Sequence, residues 1–273
     1  MISQYKQQGA TLIVVLMLLI IITIIGVVGV RHSMTSLNIA TNSQINELLR
    51  QSSDSAMLAL EDADKLDQLS TASGVLGFIS RPENSNKELV FCFDKNKSNS
   101  FDISQASMVE FIDSNIADEQ QGEGTESNQS NQNGKVNSNR LGKRGFCNPS
   151  EAKFYTSQRN AVITQVAIKR STAGVLEPAF SNYVTGTDFV SAKTQNNERF
   201  TIYATSVLPS IGGAKKTDIY ACLSTHLNSN IQSLSISVND TEAMTVSKCL
   251  ENLGVPYITQ VADYSYKVGF VGE

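Results

Sequence analysis

Residues 9–31 read GATLIVVLMLLIIITIIGVVGVR, and the nature of this stretch decides how the rest of the chain is to be read. Between Gly9 and Arg31 there is neither a charged residue nor a proline. A helix of roughly 20 residues, rising about 1.5 Å per residue, matches a hydrocarbon core of about 30 Å, so the run predicts one membrane span. A cleaved secretory signal would have an apolar region of only about 7–15 residues, followed by a small-residue cleavage site. Here the run is longer, and Arg31-His32-Ser33 is no such site.

The residues ahead of the run narrow the reading. MISQYKQQG is short and polar, carries Lys6, and ends in Gly9 directly before the apolar helix rather than after it. This arrangement resembles a class III signal, the substrate of a prepilin peptidase, and Gly9-Ala10-Thr11-Leu12-Ile13 is close to the GFTLIE of that family. The continuation VVLMLLIIITIIGVVGVR resembles the N-terminal signature of PilX-type minor pilins of the type IV pilus. The resemblance implies a leader, residues 1–9, that stays cytoplasmic and is cut after Gly9, leaving an N-methylated Ala10 followed by Thr11 and Leu12. It implies a single pass through the inner membrane (10–31), a periplasmic C-terminal domain, and later residence in the pilus. The partners it implies are the prepilin peptidase, other minor pilins and the major pilin, the pilins being met through the N-terminal helix. The implied fold is α+β and pilin-like, with a long transmembrane and amphipathic helix packed on an antiparallel sheet.

Val14 departs from the family pattern, because pilins usually carry Glu at the fifth mature position. A carboxylate at that depth costs about 2.5–3.5 kcal/mol to insert, and the family offsets it with the N-terminal amine of a neighbouring subunit. In the related type II secretion systems the subunit without this Glu sits at the tip, so by analogy Val14 points to a tip position. Gly26 and Gly29 lie inside the span. Each costs about 1 kcal/mol relative to Ala in a helix interior, and a small-residue pair can admit a neighbouring helix.

Beyond Arg31 the helical signal continues as an amphipathic stripe through Leu37, Ile45, Leu48, Leu49, Ser52, Ala56, Ala59, Leu60, Ala63 and Leu66. Span and soluble half (32–72) are expected to form one helix to about Leu69, on the order of 90 Å long. The globular domain is expected over 73–273. Its strands are read at Glu88–Phe93, Ala161–Lys169, Phe200–Leu208, Asp218–Leu223, Ile231–Val238, Ser247–Leu250 and Tyr257–Val271, and a helix at Ile103–Ile116. Asp118–Arg144, rich in Gln, Gly, Asn and Ser, cannot bury enough surface to offset its ordering entropy and reads as a mobile loop.

The 273 residues carry a net charge of −4 with opposite signs interspersed, which gives no support for nucleic-acid binding. Lys135, Arg140, Lys143 and Arg144 form the only local basic concentration, and no aromatic residue accompanies them. All four cysteines follow the span, none in a CxxC spacing, which reads as a disulfide framework in an oxidising compartment. Three connectivities are open; nearest-in-sequence pairing, Cys92–Cys147 and Cys222–Cys249, is the default. With only His32 and His226, no metal-ligand spacing appears, and no cofactor is implied.

No GxSxG, HExxH, GxxxxGK[ST] or GxGxxG is present, and Gly212-Gly213-Ala214-Lys215 reads as a turn. Asp218, or Asn239, Asp240 and Glu242, could ligate Ca²⁺, but the EF-hand pattern is missing. The expectation is therefore a non-enzymatic minor pilin acting in a priming or tip complex. The alternatives are an adhesin or DNA-binding module displayed at the tip, or a type II secretion pseudopilin of the tip-subunit kind.

Overall fold

An apolar run without proline can satisfy its backbone only by internal hydrogen bonding in lipid, and the chain does so over 51 residues in α1, Ala10–Leu60. The computed structural model describes residues 10–71, 73–84, 86–94, 100–112, 135–138, 141–156, 161–171, 196–229 and 244–268. Polar side chains within α1 fold back onto it: the hydroxyls of Thr23, Thr35 and Thr41 donate to the carbonyls of Ile20, Arg31 and Leu37 at 2.8, 3.0 and 2.8 Å. The chain divides into two units, Met1–Glu47 and Leu48–Glu273, with the boundary inside α1.

The second unit is built on a six-stranded antiparallel sheet of order β3-β2-β1-β4-β5-β6. The strands are β1 (Lys87–Phe93), β2 (Ser107–Ile112), β3 (Lys135–Asn137), β4 (Ile163–Arg170), β5 (Asn196–Val207) and β6 (Tyr257–Val268). Together with the long helix this is an α+β, pilin-like architecture.

Successive side chains of a strand face opposite ways, and here both faces are covered. On one face Leu89, Phe91, Ile168, Phe200 and Ile202 pack with Ala56, Met57 and Leu60 of α1 and with α2 (Ala63–Ser70) and α3 (Val75–Ile79). On the other, Val90, Val109 and Ala167 pack with Phe146 and Leu227, while Ile163 and Val207 meet α4 (Lys216–Thr225) and α5 (Val246–Asn252). Disulfides join Cys92 to Cys147 and Cys222 to Cys249, with Cα separations of 4.9 and 5.6 Å; the second ties α4 to α5.

Four local expectations fail. The helix does not continue to Leu69: α1 ends at Leu60 and α2 begins at Ala63. Glu61 closes the last bond of α1, its N–H donating to the Met57 carbonyl, and the Asp62 carbonyl then accepts Leu66 N–H as the first bond of α2. Asp62 stands where an N-cap is favoured. Over its described part, 103–112, the helix expected at Ile103–Ile116 is a short 3₁₀ turn, Ile103–Gln105, followed by β2. Asp102 caps that turn by accepting from Ser104 N–H at 2.8 Å. Because Met108 and Val109 are buried on opposite faces of the sheet, the apolar residues are contiguous and mimic a helical stripe.

The expected strands at Asp218–Leu223 and Ser247–Leu250 are the helices α4 and α5. Ile219, Cys222 and Leu223 bury at the i, i+3, i+4 spacing, as do Val246 and Leu250 at i, i+4, and the Thr245 hydroxyl caps α5 by accepting from Lys248 N–H at 3.2 Å. The stretch expected to be a loop, 118–144, contains β3, which pairs with β2 through Glu110↔Asn137. Most of that stretch, and the strand expected at Ile231–Val238, lie outside the described residues.

Candidate functional site: the N-terminal helix

From Leu12 to Ile39 every large apolar side chain of α1 is exposed, the extremes being Ile20 at 48% and Leu12 at 73%. The segment's mean hydropathy reaches 3.3, and among the described residues nothing buries it. At about 1.5–3 kcal/mol for each Val, Leu, Ile or Met left in water, the exposure costs on the order of tens of kcal/mol. A surface of this size calls for lipid or for the helices of other chains.

Around Gly26 and Gly29 a Cβ would meet nothing within 4 Å, so among the described residues no packing requires glycine there. The flat spot they leave is open to another helix. Val14 is exposed, at 61%. Leu12 is likewise exposed, Ala10 and Thr11 lie in the first turn of α1, and Gly9 lies outside the described residues.

In the second unit α1 changes character. Leu49, Ser53, Ala56, Met57 and Leu60, at spacings of four, three, one and three, are buried as one stripe. The stripe has a polar centre. Ser53 Oγ donates to Ser206 Oγ at 2.7 Å, and Ser52 Oγ pairs with Thr164 Oγ1 at 2.7 Å and with Thr156 Oγ1 at 3.1 Å. Thr164 and Ser206 close the cluster at 2.8 Å. At the margin, Gln260 Nε2 donates to Asp54 Oδ1 at 2.7 Å and the Tyr264 hydroxyl donates to Glu61. Burial pushes the Tyr264 phenol up, and Glu61 beside it adds to the shift. Spacing alone gives no sign of these partners, which come from strands more than a hundred residues away.

The other residues singled out from sequence do not assemble into a site. His226, just past α4, is half-buried; burial lowers its pKa, and a hydrogen bond with the Met244 backbone works the other way. Asp218 lies in the first turn of α4 and accepts from Thr217 Oγ1. Asn239, Asp240 and Glu242 are outside the described residues. Among the described residues no three His, Cys, Asp or Glu side chains cluster as metal ligands. Gly212 and Gly213, expected in a turn, have φ of 106° and 73°, values that favour glycine.

Of the basic group, Lys135 lies in β3, Lys143 is exposed, and Arg140 is outside the described residues. Arg144 borders a cavity of about 340 Å³ together with Asp94, Lys153 and Phe154. Lys153 there already pairs with Glu151 at 2.6 Å, which lowers the Glu151 pKa.

Residues 8–57 match the PilX N-terminal family. The match takes in the uncovered helix and extends to Met57, through most of the stripe buried against the sheet. A PilX-type pilin is consistent with it. No curated protein and no solved structure matches the chain.

Proposed function

We propose that this chain is a minor pilin that takes part in the assembly of a type IV pilus, within a priming or tip complex. The observation that carries the reading is an N-terminal segment matching the PilX family whose apolar side chains are exposed among the described residues. The leader is cut after Gly9 by the prepilin peptidase, and the new N-terminal Ala10 is methylated. The helix then passes from the inner membrane into a bundle formed with the helices of other minor pilins and the major pilin, and Gly26 and Gly29 give one neighbour close access. Val14 supplies no carboxylate for the N-terminal amine of a subunit above, which suits a place with no such subunit. The role is structural.

Deleting the chain should lower the number of pili per cell, since an initiator is needed once per filament. In a strain carrying Val14→Glu, piliation should show no gain, because the added carboxylate costs about 2.5–3.5 kcal/mol to insert and meets no amine. Electron microscopy of both strains is the test. Normal pilus numbers with lost adherence in the deletion strain would favour the displayed-adhesin reading, and labelled protein at regular intervals along the shaft would exclude the tip.

A further inference from the structure

The last strand of the sheet, β6, is paired on one side only among the described residues. Its register on β5 sets Tyr257 opposite Val207, and just beyond this pair Leu208 N–H donates to the Pro256 carbonyl at 3.0 Å. In an antiparallel pair the residues alternate between those that bond to the neighbour and those that turn away. Ile258, Gln260, Ala262 and Tyr264 therefore bond to β5, while Thr259, Val261, Asp263 and Ser265 turn their N–H and C=O groups to the open side. A long strand with this edge uncovered is a template for another strand.

The edge has a definite chemistry. On the face toward α1, Gln260 and Tyr264 hold the exposed carboxylates of Asp54 and Glu61. On the opposite face lies Val261, an apolar side chain 57% exposed, followed by Asp263, which accepts from Thr201 Oγ1 at 2.6 Å. Among the described residues Arg50 lies 4.0 Å from Asp54, exposed Arg199 stands on β5 diagonal to Asp263, and Lys267 is the single basic residue of β6. A second copy pairing here antiparallel about Ala262 would set Gln260 opposite the copy's Tyr264, and so Asp54 beside the copy's Glu61, and like charges across a strand pair are destabilising.

We propose that the open edge of β6 receives an extended strand of a different protein chain, with Lys or Arg on the face toward Asp54 and Glu61 and apolar side chains on the face toward Val261. Main-chain bonds to Thr259, Val261, Asp263 and Ser265 hold the strand, and the alternating side chains select it.

The test uses the full-length protein in detergent micelles and a synthetic twelve-residue peptide alternating lysine and valine, with a glutamate–valine peptide as control. Amide hydrogen exchange in the free protein should be fast at Thr259, Val261, Asp263 and Ser265 and slow at Ile258, Gln260, Ala262 and Tyr264. The lysine peptide should slow the first set and bind about tenfold or more tighter than the glutamate peptide, as expected from a few cross-strand charge pairs. Val261→Pro removes one outward N–H and leaves the β5 ladder whole, so it should abolish peptide binding while the slow amides stay slow. Outward amides already protected in the free protein would overturn the proposal, whether by the chain itself or, if protection rises with concentration, by a second copy. Equal affinity for the two peptides, or undiminished binding to the proline variant with its inward ladder intact, would overturn it as well.

Discussion

Glu88 offers the sharpest test of how the second unit is held together. Its side chain is fully buried in β1, yet it is a carboxylate. One oxygen accepts from Ser229 N–H at 2.8 Å; the other accepts from Asn228 N–H at 2.8 Å and Asn228 Nδ2 at 3.1 Å. Lys169 lies opposite Glu88 in the register with β4, and its ammonium donates to Ser229 Oγ at 3.1 Å. The carboxylate thus anchors the backbone leaving α4 to the back of the sheet. In Glu88→Gln one oxygen becomes an NH₂ that faces a backbone N–H, leaving one buried donor unpaired at about 1–3 kcal/mol. Glu88→Ala orphans both backbone donors and Asn228 Nδ2, so the loss should reach about 2–6 kcal/mol, a large part of the roughly 5–15 kcal/mol typical of a domain.

Urea unfolding of the full-length protein in micelles, followed by tyrosine circular dichroism, should show the midpoint falling in the order wild type, Gln, Ala with an unchanged slope. Tyr203 supplies a second readout. Its phenol is pushed up to about 12, by burial first and then by the negative charges of Glu88 and Asp263. In Glu88→Gln it should ionise at lower pH than in wild type, while staying above an ordinary tyrosine because burial persists. An alanine variant as stable as wild type, with Tyr203 titrating unchanged, would refute the reasoning.

Thr164→Val removes the hydroxyl that links Ser52 and Ser206, and should cost about 1–3 kcal/mol in the same unfolding assay although valine fills the same volume. Replacing both Cys222 and Cys249 by alanine opens a loop with a sequence separation of 27 and should cost about 3.6 kcal/mol by chain entropy; α4 and α5 amides should exchange faster while those of β1 keep their order. A chain starting at Leu48 keeps the buried stripe and should yield a folded soluble unit. One starting at Glu61 loses Leu49, Ala56, Met57 and Leu60, forfeits about 6–9 kcal/mol of burial, and should show no cooperative unfolding transition.

How much of this was legible in the sequence depended on whether a segment's environment was written in its own residues. Gly9 to Arg31 is apolar on all sides, so the helix could be read without knowing its neighbours. β4 and β5 are long and contain β-branched residues at regular intervals; β4 lies within two residues of the expected strand at each end, while β5 begins four residues before the expected Phe200. The sequence is ambiguous at β2, α4 and α5 because each is short and its apolar pattern fits either periodicity. Ile219-Tyr-Ala-Cys-Leu223 becomes helical because its buried side must meet Ile163, Val207 and the α5 disulfide partner, a long-range demand absent from the local text. The break at Glu61-Asp62 was hidden because Leu66 and Leu69 continue the stripe across it. Of the candidate site, the uncovered helix was visible. The anchor at Glu88 and the open edge of β6 were not, because both depend on which strands become neighbours.

The two units solve opposite solvation problems with one helix. Before Arg31 the apolar residues surround α1, so its own pattern gives the helix no preferred rotation about its axis there. After Leu48 something must set that rotation, and apolar contact alone tolerates sliding and repacking. The hydroxyl cluster does not tolerate it. Ser52 and Ser53 are consecutive, point about 100° apart on the helix, and must reach Thr164 on β4 and Ser206 on β5 at 2.7 Å each. A turn of the helix, or a shift by one residue, breaks both bonds and leaves buried hydroxyls unpaired, whereas Leu49 and Leu60 would merely repack. Asp54 and Glu61, bonded to Gln260 and Tyr264 of β6, fix the same azimuth from the outer side. The polar residues that dilute the apolar stripe of α1 are thus the ones that define its register on the sheet.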